Sequence, residues 1–243
     1  MKGLLRWIAL VVIAFIGLQL YFVTRIAAMT VVDPESTTFQ RSEAWRIATE
    51  RDKLRWRQQW VPYARISDNL KRAVIASEDD GFVNHEGVDW DALEKAWERN
   101  AKAEELAARR AMLAPSRARP PKIVGGSTIT QQLAKNLLLS GERSLSRKGQ
   151  EFVLTMELEQ LLTKRRILEI YLNNVEWGEG VFGAEAAAQH YFRKPASKLT
   201  AYEAARLAVM LPQPKRFEKT PGSRYLAGRT STIVARMNAA EVP

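Results

Sequence analysis

Residues 75–87 read Ile75-Ala76-Ser77-Glu78-Asp79-Asp80-Gly81-Phe82-Val83-Asn84-His85-Glu86-Gly87, three consecutive acids directly behind an apolar helical pattern. Upstream, Leu70, Ala73, Val74 and Ser77 recur at i, i+3, i+4 and i+7, the spacing of a buried helix face. Glu78 follows Val74 by four residues and so lies on the flank of that face, and Gly81 is expected to end the helix. A carboxylate placed there meets the negative end of the helix dipole and loses water to the core beside it. Both effects raise its pKa, which suits a general base. The ordinary alternative is that Glu78, Asp79 and Asp80 merely solvate a helix end, and spacing alone favours it.

Two further stretches carry polar groups in register. In Gly125-Gly126-Ser127-Thr128-Ile129-Thr130-Gln131-Gln132-Leu133-Ala134-Lys135-Asn136, Thr128 and Gln131 have the spacing of a capping box. A helix therefore starts behind two glycines, with Ile129, Leu133 and Leu137 on its apolar face and Thr128, Gln132, Lys135 and Asn136 directed elsewhere. Such a start can bind an anion or be a plain loop-to-helix junction. It lacks the Gly-Lys-Ser/Thr of a nucleotide P-loop. From Ser146 a long helix is expected, with Leu154, Leu158, Leu161 and Leu162 as its stripe. On it Arg147 and Lys148 sit four and three residues before Glu151. They are either surface ion pairs or, with Arg143, a cationic patch around an oriented carboxylate.

The chain has 243 residues, 46% hydrophobic, with a formal charge of +10 and no cysteine. The charge implies an anionic partner, and the missing thiols exclude a disulfide framework, a thiol nucleophile and a zinc–thiolate site. Two histidines cannot build a three-His zinc site, and no Ser-x-x-Lys occurs. Residues 7–24, WIALVVIAFIGLQLYFVT, are uncharged throughout. Eighteen residues rise about 27 Å as a helix, close to the hydrocarbon thickness. A cleaved signal peptide normally has a shorter apolar run, and only Ala27-Ala28 would serve for cleavage, so an uncleaved anchor is expected. Lys2 and Arg6 place the N-terminus in the cytoplasm and the rest outside, which excludes nucleic acid as the partner.

The expected organisation is a tip and transmembrane anchor over 1–29, a juxtamembrane segment over 30–66, a helical domain over 67–217 and a tail over 218–243. Trp45, Trp56, Trp60 and Tyr63 in the second segment fit either interfacial aromatics or core residues of a linker. Residues 99–122 begin as an Ala/Glu/Arg helix and end in a Pro/Arg segment expected to be a mobile loop. Asn173 to Gly180 reads as a Gly-rich turn before an Ala-rich helix from Ala184. No strand pattern stands out, and the fold class is mainly α.

In order along 67–217, several blocks resemble the peptidoglycan glycosyltransferases of family 51, above all their monofunctional biosynthetic branch in Gram-negative bacteria. The carrying residues are Glu78-Asp79-x-x-Phe82-x-x-His85-x-Gly87, the Gly125–Asn136 block, and Arg143-x-x-x-Arg147-Lys148-x-x-Glu151. Arg166-Ile167-Leu168-Glu169-x-Tyr171-Leu172-Asn173, Gly183-x-x-x-Ala187-Ala188-x-x-Tyr191-Phe192 and Glu203-x-Ala205-x-Leu207-Ala208-x-x-Leu211-Pro212-x-Pro214 complete the set. The link between the first two blocks is longer than is usual in the family.

This resemblance implies a lysozyme-like helical head with a smaller membrane-apposed lobe, on a single N-terminal transmembrane helix. It implies polymerisation of lipid II, an undecaprenyl-diphosphate-linked GlcNAc–MurNAc-pentapeptide, into β-1,4-linked glycan with inversion, undecaprenyl diphosphate leaving. No transpeptidase domain is expected, and no organic cofactor. Carried over by position, Glu78 is the base and Glu151 the second essential glutamate. Lys135, Arg143, Arg147 and Lys148 meet the diphosphate. Ser127, Thr128, Gln131, Gln132 and Asn136 join the substrate-binding set, and Asp79, Phe82 and His85 shape the pocket. Mg²⁺ or Mn²⁺ is the expected ion. The expected partners are the lipid-linked growing strand, the bacterial inner membrane with the catalytic domain in the periplasm, and other proteins of cell-wall synthesis or division.

Overall fold

A computed structural model describes residues 2–50, 55–113, 120–121, 123, 125–139, 141 and 144–243. Helix α1 (Lys2–Ala28) carries the apolar run and leaves nearly all of it bare, as a helix long and apolar enough to cross a membrane. Only its last turns are buried. Phe22, Ile26 and Met29 enter the core of the head, and Gln19 and Gln150 exchange amide hydrogen bonds at 3.2 and 3.1 Å. Arg166 fastens the exit of α1, donating to the Met29 and Val32 carbonyls and pairing with Asp33 at 2.7 Å.

The head is mainly helical, in agreement with the sequence. Helix α2 (Thr38–Glu50) and strand β1 (Arg57–Gln58) precede α3 (Asp68–Glu78) and α4 (Trp90–Leu113). Next come α5 (Ile129–Leu138), α6 (Leu145–Leu161) and α7 (Lys164–Asn174). A hairpin of β2 (Glu176–Gly178) and β3 (Val181–Phe182) leads to α8 (Ala184–Phe192), α9 (Ala201–Met210), α10 (Pro214–Lys219) and α11 (Arg224–Arg236). Helix α3 packs on α9 and α11, while α5 packs on α2, α6 and α7. These two clusters place the end of α3 against the beginning of α5.

The starts of these helices follow local chemistry. Ser67, Thr128, Ser144, Thr163 and Thr200 each accept a backbone N–H three residues on, the ordinary oxygen cap of a helix start. Thr128–Gln131 forms the full capping box that its sequence predicts. Leu70, Ala73 and Val74 are fully buried, and so are Leu154 and Leu158, whereas Leu161 sits at the rim.

Three features differ from the sequence reading. Helix α3 ends at Glu78 with Asp79 as its cap, so Gly81 lies in the following turn and does not terminate it. The Gly-rich turn is a β-hairpin whose second strand also pairs in parallel with β1, giving the order β1-β3-β2. Strands of two or three residues are too short to show alternation, so the sequence gives no strand signal. The segment 30–66 contributes α2, β1 and the buried Ile47, Val61, Tyr63 and Ile66, while Trp45 remains exposed. At the other end, α11 and the buried Met237 and Ala240 pack beyond residue 217. Helix α4 contains the Ala/Glu/Arg part of 99–122, and the expected loop over 114–119 and 122 lies outside the described residues.

Gly180 in the hairpin is where β1 comes closest. Its φ is +72°, its carbonyl accepts the Arg57 N–H at 2.8 Å, and a Cβ there would stand 1.9 Å from the Arg55 carbonyl oxygen. Gly180→Ala is therefore expected to lower stability by about 3 kcal/mol in thermal unfolding, from backbone strain plus displacement of β1. Gly222→Ala, where a Cβ meets nothing within 4 Å, should change it by no more than about 0.5 kcal/mol.

Candidate active site

The three acids separate once folded. Asp80 is exposed and pairs with Arg236 of α11 at 3.0 Å, the solvated role foreseen for a helix end. Asp79 turns inward, only 7% exposed. One of its oxygens meets His85 Nε2 at 2.8 Å, and the other accepts the Ile129 N–H at 2.9 Å. His85 Nδ1 in turn accepts the Gly87 N–H, and the Gly87 carbonyl accepts the Thr128 hydroxyl at 2.6 Å. Gly87 has φ +87° and no room for a Cβ beside Thr155. The block from Asp79 to Gly87 is thus the clasp that fixes where α5 begins.

Glu78 is held at that junction. Its Oε2 accepts the Gln132 side-chain N–H at 3.1 Å, and its Oε1 lies 3.3 Å from the Ser77 hydroxyl. The Gln132 carbonyl oxygen accepts the Tyr171 hydroxyl at 3.0 Å, which orients the amide with its N–H toward Glu78. Glu78 keeps partial surface exposure, yet its carboxyl is hemmed in by protein. Desolvation is the largest influence and raises its pKa. Asp79 adds to this, and the Gln132 and Ser77 hydrogen bonds with the charge of Arg229 oppose it.

Two cavities flank this carboxyl. The first, about 270 Å³, is lined by Glu78, Asp79, Ser127 and Thr128, with Lys95, Arg99 and Arg229 around it. The second, about 420 Å³, is lined by Gln132, Lys135, Asn136 and Arg147 with Phe39, Val175 and Leu211. Gln132 lines one cavity while hydrogen-bonding the acid that lines the other, so the Glu78–Gln132 pair divides them. Helix α5 brings Lys135 and helix α6 brings Arg147 to the second cavity. Buried Glu151 holds Arg147 at 2.9 Å and Lys148 at 2.5 Å. Burial lowers the pKa of Lys135, with Arg147 and Lys148 acting in the same direction and Glu151 against it. Lys135 is itself solvent-exposed at the cavity, which moderates that effect.

Of the residues singled out in the sequence, the structure places Glu78, Asp79, Ser127, Thr128, Gln132, Lys135, Asn136 and Arg147 along these two cavities, with Glu151 and Lys148 joined to Arg147 by ion pairing but lining neither. Phe82 is fully buried and Gln131 is taken up in the helix cap, so neither lines a cavity. His85 lines a separate cavity beside Trp90. Arg143 lies outside the described residues. Sequence reasoning missed Tyr171 as the group orienting Gln132, Arg229 facing Glu78, and Glu176 in the second cavity. Tyr171 stands 39 residues from its partner, and nothing local signals the contact.

Comparison with known proteins identifies the family. Residues 46–238 match the transglycosylase family model. A biosynthetic peptidoglycan transglycosylase of Burkholderia thailandensis is 53% identical over 246 residues, covering 100% of this chain and 90% of that protein. A protein of the same name from Paraburkholderia xenovorans is 52% identical over 99% of this chain and 95% of its own length. One from Herminiimonas arsenicoxydans is 51% identical over 100% and 99%. The chain belongs to the transglycosylase family. Its activity is that of a peptidoglycan glycosyltransferase, and α1 fits it for attachment to a membrane.

Among the described residues, no group of three or more His, Cys, Asp or Glu side chains could hold the divalent ion expected from the resemblance.

Because Glu78 is more basic folded than unfolded, its contribution to stability is fully present below the unfolded value and declines as pH rises through the folded value. Glu78→Gln should consequently unfold at a higher temperature than wild type at pH 8. The difference should shrink as the pH falls toward 4.5, and calorimetry across that range measures it.

Proposed function

We propose that the groove elongates glycan by inverting transfer between two lipid-linked saccharides, with Glu78 as the base. Lipid II supplies the acceptor, whose GlcNAc 4-hydroxyl lies in the first cavity. Glu78 takes the proton from that hydroxyl as its oxygen attacks the MurNAc anomeric carbon of the lipid-linked strand. The β-1,4 bond forms on the face opposite the breaking bond to the diphosphate, and undecaprenyl diphosphate leaves. The observation that carries this reading is a desolvated carboxyl at the divide between two cavities, one of them lined by Lys135 and Arg147.

The charge developing on the leaving diphosphate calls for preorganised cations, and this is the role proposed for Lys135, Arg147, Lys148 and Arg143. Glu151, buried against two of them, is proposed to hold their geometry rather than to transfer a proton. Ser127 and Asn136, each lining a cavity, are proposed to bind sugar or phosphate oxygens. Lys2 and Arg6 support a cytoplasmic N-terminus, with the head on the periplasmic face of the inner membrane. That is where a lipid-linked substrate meets the basic surface. A Mg²⁺ or Mn²⁺ ion would come with the diphosphate rather than be held by a protein site.

A lytic enzyme with a similar helical head is the main alternative, but it has no diphosphate to hold. Full-length protein supplied with lipid II in detergent should make long glycan strands and should not clear cell-wall sacculi. Glu78→Gln should lower polymerisation by at least about 100-fold while the protein remains folded. Clearing without polymerisation, or polymerisation by Glu78→Gln within a few-fold of wild type, would refute the proposal. Parallel reactions with Mg²⁺ and with a chelator test the contribution of the ion.

A further inference from the structure

The second cavity contains a carboxyl that none of the roles above uses. Glu176 opens β2 on the cavity wall, beside Gln132, Lys135 and Asn136, and its side chain is 8% exposed. Its Oε1 is buried without a hydrogen-bond partner among the described residues. The nearest cation, Lys215 at the start of α10, stands 3.4 Å away but is hydrogen-bonded to a second carboxylate, Glu43 of α2. Glu43 also accepts Arg46 at 3.0 Å. Glu176 is thus the incompletely matched member of a buried group in which Glu43 takes the good contacts.

An acid left this way costs free energy, because its lone pairs have given up water and found no adequate donor. Burial, with the charge of Glu43, pushes its pKa up to about 7, against the pull of Lys215 and Arg46. An apolar residue would fill a wall position beside Val175 and Leu211 without that cost. A carboxyl in such a place fits a ligand that brings its own hydrogen-bond donors. Diphosphate oxygens only accept and repel an ionised carboxyl, so for Glu176 in its ionised form the diphosphate is not the matching group. A sugar offers hydroxyls and acetamido N–H groups, which are.

We propose that Glu176 is a further substrate-binding residue, its carboxyl accepting a hydrogen bond from a hydroxyl or acetamido N–H of the sugar borne by the diphosphate. This rests on reading the second cavity as the diphosphate site. Lys135 and Arg147 then hold the charged part of the donor and Glu176 the neutral part beside it. The cavity distinguishes a sugar-bearing lipid diphosphate from the bare lipid diphosphate that leaves.

The test compares two ligands on full-length protein in detergent micelles. A short lipid-linked glycan strand, the donor, carries the sugar, and undecaprenyl diphosphate does not. Glu176→Ala should weaken binding of that strand and raise its KM about tenfold or more, the loss expected for a hydrogen bond to a charged group. Its kcat should change by less than about threefold, and its binding of undecaprenyl diphosphate should be unchanged or tighter. Glu176→Gln, which keeps an accepting oxygen, should recover most of the affinity. Equal weakening toward both ligands, or no change toward either, overturns the proposal. A lowered unfolding temperature with unchanged ligand discrimination would assign Glu176 to holding Lys215 alone, and also overturns it. Lys135→Met separates this from the parent reading. If that variant binds undecaprenyl diphosphate as wild type does, the diphosphate assignment fails whatever Glu176 does.

Discussion

The site depends on Asp79. One carboxylate, nearly closed off from water, receives the first free N–H of α5 and the imidazole of His85 at the same time. The orphan N–H groups at a helix start need a partner, and an anion there also meets the positive end of the dipole. Satisfying that need from the cap of α3 brings the end of one helix to the beginning of another. Glu78, one residue earlier, is then delivered against Gln132, and Tyr171 fixes the amide that meets it. The catalytic candidate is positioned by the residue beside it, and the clasp from Asp79 to Gly87 makes that position rigid.

The surrounding charges divide the labour. Lys135 and Arg147 line one cavity, and buried Glu151 holds Arg147 together with Lys148. Removing Arg147 would leave the buried Glu151 carboxylate facing the half-exposed Lys148, so part of its charge would be stranded. On the other side of Gln132, Glu78 has two hydrogen bonds among the described residues, one of them from a serine at 3.3 Å. A carboxylate stabilised less than its burial requires is a stronger base than one in water. On the proposed reading, anion binding and proton abstraction fall in adjacent compartments.

Much of this was legible in the sequence, for identifiable reasons. The box at Thr128–Gln131 and the apolar faces of α3 and α6 are local, and local spacing found them. The separation of Glu78, Asp79 and Asp80 was not local. It needed the family pattern, because Asp79's partner lies 50 residues away and Asp80's lies 156 away. Strands of two or three residues hid the hairpin, and with it the placement of Glu176. Tyr171 fell within a recognised block, but its hydroxyl's partner on α5 exists only in the fold. The membrane helix was evident from its composition, whereas its docking through Phe22, Ile26 and the Gln19–Gln150 pair was not.

The central claim is that Glu78 works as a base because the fold withholds water from it by more than its hydrogen bonds and the charge of Arg229 make good. The most direct measurement is the pH dependence of kcat/KM for lipid II polymerisation by wild type. Protonated Glu78 cannot accept the acceptor's proton, so the rate should fall as pH drops through the raised pKa of this group. The account predicts an acid limb above the ordinary glutamate value of 4.5. An acid limb at or below that value would contradict it.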